Sequence, residues 1–131
     1  MNVNQINSLV LAYLGDAIYE VYIREYLINK KINKVNDLQM EAKKYVSAKG
    51  QAYFLELLLK DNILLEDEIE IIKRARNTKV NSHPKSTDIL TYKHATAFEA
   101  LIGYLSFNNN NKRIEDIIKY IINKSEVISC M

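Results

Sequence analysis

From Asn4 to Asn29 apolar side chains recur at helical spacing, with no proline and a single glycine, Gly15, which commits this stretch to one long amphipathic helix. At about 100° per residue, Val10, Tyr13, Leu14, Ala17, Ile18 and Val21 fall on one face, read as the core face. Ala12, Asp16 and Glu20 line the flank beside it, so Asp16 is expected at the edge of the core. Near the other end, Phe98, Leu101, Ile102 and Leu105 make a second buried face, bordered by Glu99, Gly103 and Ser106. Gly103, one turn beyond Glu99, is expected to let another backbone come close. A carboxylate among apolar neighbours is costly to desolvate unless it is paired, hydrogen-bonded or bound to a cation. Two of them on helices that pack together suggest either a shared cation or two shoulder carboxylates paired with Lys or Arg.

The remaining segments also read as helices. Asn36 or Asp37 is placed to cap a second helix that ends near Tyr45, and Ser47 to cap a third that carries Tyr53, Phe54, Leu57 and Leu58 as far as Asp61-Asn62. Glu66, Asp67, Glu68 and Glu70 crowd the start of a fourth, and Lys73, Arg74 and Arg76 its end, an order that complements the helix dipole. A helix from about Asp88 to Phe107 carries Glu99, Asn108 to Asn111 form a polar break, and Ile114, Ile117, Ile118, Ile121 and Ile122 stripe the last. With three Gly, one Pro and no defensible strand pattern in 131 residues, the expected fold is all-α, a single domain over residues 1–131 with about five to seven helices. Tyr13, Tyr22, Tyr53 and Tyr104 sit at helical core spacing and are expected to pack inside.

Several function classes are set aside by composition. No apolar run approaches the roughly 18 residues of a membrane span, and the first residues lack the pattern of a secretory signal. The single cysteine, Cys130, excludes a disulfide framework within the chain and suits a reducing cytoplasm. No glycine-rich phosphate loop, nucleophile elbow or zinc-ligand cluster is present. The net charge of +2 is unremarkable, but six Lys or Arg face one acid between Lys73 and Lys93. Part of that excess lies in the one substantial internal loop, Asn77 to Thr87, where His83 and Lys85 flank the only proline. Such an edge fits either a polyanion or water. His83 is read as a phosphate contact and His94 as structural, since neither has a second His or Cys at ligand spacing.

Leu14-Gly15-Asp16-Ala17 resembles the signature of the ribonuclease III family, and Phe98-Glu99-Ala100-Leu101-Ile102-Gly103 resembles its second block. The family's short bacterial branch, Mini-ribonuclease III, is echoed further by Leu11-Ala12-Tyr13-Leu14-Gly15-Asp16-Ala17-Ile18, Val46-Ser47-Ala48-Lys49 and Lys73-Arg74-Ala75-Arg76-Asn77, so the resemblance covers nearly the whole chain. Several blocks in the right order are far more specific than a lone Gly-Asp pair. The resemblance implies a helical homodimer that cuts double-stranded RNA with Mg²⁺, Mn²⁺ able to substitute, leaving 5′-phosphates. It carries the metal-binding and catalytic roles onto Asp16 and Glu99. For the short branch it also implies maturation of the 23S ribosomal RNA precursor.

The chain departs from the longer enzymes in two ways. Their further acids fall here on Leu9, Ala12 and Thr96, which leaves two protein ligands, and Mg²⁺ tolerates this because it commonly keeps several waters. No double-stranded RNA-binding domain follows, so RNA is expected to be held by the dimer itself, through Arg74, Arg76, Asn77, Lys79, His83 and Lys85, with Lys49 as a secondary candidate. The competing readings are an inactive RNA-binding module of the same fold and a helical protein-interaction domain in which Asp16 and Glu99 only form salt bridges.

Overall fold

The structure, a computed structural model, describes residues 2–79, 83–85 and 87–130, with side chains to residue 126. Cys130 and part of the loop from Asn77 to Thr87, residues 80–82 and 86, lie outside the described side chains. A 3-10 turn, Val3–Gln5, precedes six helices: α1 Ser8–Asn29, α2 Val35–Val46, α3 Ala48–Lys60, α4 Glu66–Arg76, α5 Ile89–Phe107 and α6 Asn111–Cys130. Among the described residues there is no strand, so the expected all-α fold is observed. None of these helices is long and apolar enough to cross a membrane.

The caps explain where the helices start. Asn7, whose side chain accepts from the Leu9 amide at 2.7 Å, begins α1 at Ser8, four residues later than the apolar pattern suggests. Ser47 caps α3 by accepting from the Gly50 amide at 3.1 Å. Asp88 caps α5 through the amide and hydroxyl of Thr91, both at 2.9 Å. The cap foreseen for α2 is different: the helix starts at Val35 with Lys34 in the cap position and no side-chain cap, which puts Asp37 in its first turn. There the carboxylate complements the helix dipole instead of capping it.

α5 is the central helix. Ala95, Thr96, Ala97, Phe98, Ala100, Leu101, Ile102, Gly103 and Leu105 are all buried, and α1, α3, α4 and α6 surround it. An apolar helix buried on nearly every side has no single core face, so the four-residue face expected from sequence is only part of what is covered.

α1 corrects the sequence reading more sharply. Its buried residues are Leu11, Ala12, Gly15, Tyr19, Ile23 and Leu27, whereas Val10, Tyr13 and Val21 are 57%, 84% and 53% exposed. Most of the face read as core therefore points outward, while Leu14 and Ile18 from it are half-buried and Ile18 packs against the core. The helix is apolar on two sides, and periodicity alone does not say which one meets α5. The tyrosines follow suit: Tyr13 and Tyr53 are exposed, Tyr22 and Tyr104 are half-buried, and Tyr19 and Tyr45 are the buried ones. Tyr19 packs edge-on to Phe98 at 4.9 Å and donates to the Tyr45 carbonyl at 2.9 Å, joining α1 to α5 and α2.

α6 closes the bundle with Ile114, Ile117, Ile118 and Ile121. Arg113 of this helix pairs with Glu68 of α4, 1% exposed, through two contacts of 2.7 and 2.8 Å. Glu68 also accepts from the Leu65 amide at 2.9 Å, so one buried carboxylate starts α4 and anchors α6.

Candidate active site

Gly15 and Gly103 face each other where α1 crosses α5. A Cβ on Gly15 would sit on the carbonyl of Glu99, and one on Gly103 would sit on the carbonyl of Leu11, so the two backbones touch at a point that admits no side chain. That contact positions the acids. Asp16 follows Gly15, Glu99 lies one turn before Gly103, and the crossing brings their carboxyl groups within hydrogen-bonding reach across the two helices.

The pair is asymmetric. Asp16 is exposed and Glu99 is half-buried. Burial, then the contact with Asp16 and its charge, push the Glu99 carboxyl up to about 8, with Glu20 adding to the rise and the amide of Gln51 opposing it. Gln51, 2% exposed on α3, donates from Nε2 to Glu99 Oε2 at 3.4 Å and to the Val46 carbonyl at 3.3 Å. Glu20 pairs with Arg24 at 3.2 Å. Thr96, one turn before Glu99, is buried.

Among the described residues no Lys or Arg pairs with Asp16 or Glu99. The salt-bridge alternative is thus not what the side chains adopt. Two adjacent carboxylates with no protein cation between them fit a hard divalent ion. No group of three or more His, Cys, Asp or Glu among the described residues is placed to hold a metal. A metal held here would have Asp16 and Glu99 as its protein ligands, an arrangement that Mg²⁺ tolerates because it commonly keeps several waters.

The basic residues are only partly gathered. Lys49 and Arg76 line one cleft between α3, the end of α4 and the start of α5, together with Tyr53, Thr91 and His94. Asn77 and Lys79 lie exposed just beyond α4, and His83 and Lys85 are exposed in the following loop, with the His83 ring 6.4 Å from that of Tyr92. Arg74 points elsewhere: it donates to the Ser8 hydroxyl at 3.2 Å and to the carbonyls of Asn4 and Ile6 at 3.1 and 3.0 Å, fastening the N-terminal turn to α4. Its guanidinium is thus engaged within the protein, unlike the free contact with RNA expected from sequence. His94, taken as structural from sequence, instead lines the cleft beside Lys49 and Arg76. Gln51 was missed, although it shares a helical face with Phe54, Leu55 and Leu58, all buried, and a polar residue in a core stripe is a signal.

Comparison with known proteins is consistent along the chain. The ribonuclease III domain profile matches residues 9–110. A curated Mini-ribonuclease 3 from Streptococcus pneumoniae is 46% identical over 96% of this chain and 98% of its own length. Those from Enterococcus faecalis and Staphylococcus aureus are 45% and 40% identical, each over 92% of this chain and 91% and 90% of their own lengths. A crystal structure of a Fusobacterium nucleatum protein superposes with a TM-score of 0.82 at 34% identity, covering 91% of this chain and 95% of that one. A profile match that spans both acids and the crossing that joins them, with relatives similar over nearly their full length, shows that the chain belongs to the ribonuclease III family and is an endoribonuclease.

Proposed function

We propose that the chain cuts double-stranded RNA with Mg²⁺, Mn²⁺ able to substitute, and that it matures the 23S ribosomal RNA precursor in the cytoplasm as a homodimer. The observation that carries this reading is the pairing of Asp16 with Glu99 across the Gly15/Gly103 crossing, with no cationic partner for either acid among the described residues. The names of the relatives support the RNA substrate.

A bound divalent ion supplies positive charge at the scissile phosphate and lowers the pKa of coordinated water. Asp16, exposed, presents its carboxylate to the incoming phosphodiester, and Glu99 must lose its proton before both acids can act as ligands. Gly15 and Gly103 hold that separation rigidly, because neither backbone can retreat without opening the core. Lys49, Arg76 and His94 offer donors to phosphates from the adjacent cleft, and Asn77, Lys79, His83 and Lys85 extend that surface. Self-association is supported by the outward apolar stripe of Leu9, Val10, Tyr13 and Val21 on the helix that carries Asp16.

The test is cleavage of a long perfect RNA duplex in Mg²⁺ by the wild type, Asp16→Asn and Glu99→Gln, with an EDTA control. Cleavage by the wild type alone, with loss of about a thousandfold or more in both variants, is the expected result. Equal cleavage by either variant would place the chemistry elsewhere. A ribosomal RNA precursor with paired ends, cut in preference to a random duplex, is the expected selectivity.

A further inference from the structure

Gln51 lies on the second turn of α3, where its carboxamide is enclosed yet touches both a main-chain carbonyl and an acid of the active site. A buried amide must place its two N–H donors and its carbonyl. The Val46 oxygen, at the last residue of α2, has no later turn of that helix to donate to it and accepts from Gln51 Nε2. This fixes which end of the amide faces inward, and the same nitrogen then carries its second hydrogen to Glu99 Oε2. Tethered to the α2/α3 junction, Gln51 holds one oxygen of the Glu99 carboxyl, the group that Asp16 contacts from across the helix crossing.

From this geometry we infer that Gln51 is a positioning residue: it fixes the orientation of the Glu99 carboxylate so that Glu99 and Asp16 bind one divalent cation together. The inference rests on the metal-dependent reading above. Gln51 itself touches neither metal nor RNA.

The experiment uses the full chain as wild type, Gln51→Leu and Gln51→Asn. Mn²⁺ binding to the RNA-free protein is read by water proton relaxation, and the Mg²⁺ dependence of duplex cleavage is measured alongside. Duplex affinity in Ca²⁺ and thermal melting complete the set. Gln51→Leu should raise the half-saturating Mn²⁺ and Mg²⁺ concentrations by about tenfold or more, in line with the loss of a residue that orients a ligand. Cleavage should return toward the wild-type rate at saturating metal, and duplex affinity should stay unchanged. Gln51→Asn keeps a buried amide but is one methylene short of spanning Val46 and Glu99, so it should show the same metal defect if the leucine variant does not fold. Unchanged Mn²⁺ affinity in a folded variant overturns the assignment, and so does a loss of activity that metal does not restore. Mn²⁺ binding that survives in Asp16→Asn and Glu99→Gln variants would overturn the metal site itself, a failure seen before any Gln51 variant is compared.

Discussion

Asp16 and Glu99 are neighbours in unlike surroundings, and that difference predicts a pH response. Glu99 in the folded protein holds its proton up to about 8 against an ordinary 4.5, so between those values the folded state binds more protons than the unfolded one. Without metal, its contribution to stability is therefore full below 4.5 and is lost as pH rises through about 8. Melting in EDTA should show that decline, and Glu99→Gln should flatten it. With metal the sign reverses for binding, because the ligand must be deprotonated: half-saturating Mg²⁺ in a cleavage assay should fall as pH rises toward 8. The arginines of α4 separate in the same residue-by-residue way. Arg74→Ala should lower stability by about 1–3 kcal/mol in denaturant melts while leaving the salt slope of RNA binding alone, since its three donors hold Ser8, Asn4 and Ile6. The double reversal Arg76→Glu with Lys79→Glu should weaken duplex binding and flatten its salt dependence. Sequence distinguishes a basic residue from an acidic one but not the direction in which a long side chain turns, which is why Arg74, expected at the RNA, fastens the N-terminal turn to α4.

At the scale of the element, the crossing of α1 and α5 matters most. Gly103→Ala would set a methyl group against the Leu11 carbonyl and the Gly15 backbone, with no flexible side chain to give way. It should cost about 3 kcal/mol or more by denaturant melting and, at temperatures where it stays folded, should weaken metal binding by separating the acids. Half of this contact was legible: Gly103, one turn beyond Glu99, announced a close backbone approach, whereas Gly15, directly before Asp16, was not singled out as its partner. The breaks after α1, α3 and α5 were legible too, and they fall at Lys31, Asn62 and Asn109, whose φ values of 67°, 55° and 58° lie in the left-handed region. The orientation of α1 was not. With Leu11, Tyr19, Ile23 and Leu27 on one side and Val10, Tyr13, Ala17 and Val21 on another, both faces satisfy the same period, and only the partner helix decides between them.

Across the whole molecule, the outward stripe on α1 sets the expected assembly. Tyr13, 84% exposed, should be removable without loss of fold. Tyr13→Asp is expected to melt as the wild type does but to weaken self-association by about tenfold or more in sedimentation equilibrium, the usual cost of charging an aromatic contact at the middle of an interface. The opposite end of the bundle depends on a partner much further along the chain. Glu68 is enclosed together with Arg113, which is translated 45 residues after it. Until Arg113 has been made, α4 lacks the partner that Glu68 meets in the folded protein. By then both glycines of the crossing have already been synthesised, so the order of translation lets the α1/α5 contact form first and the α4/α6 clamp lock it afterwards.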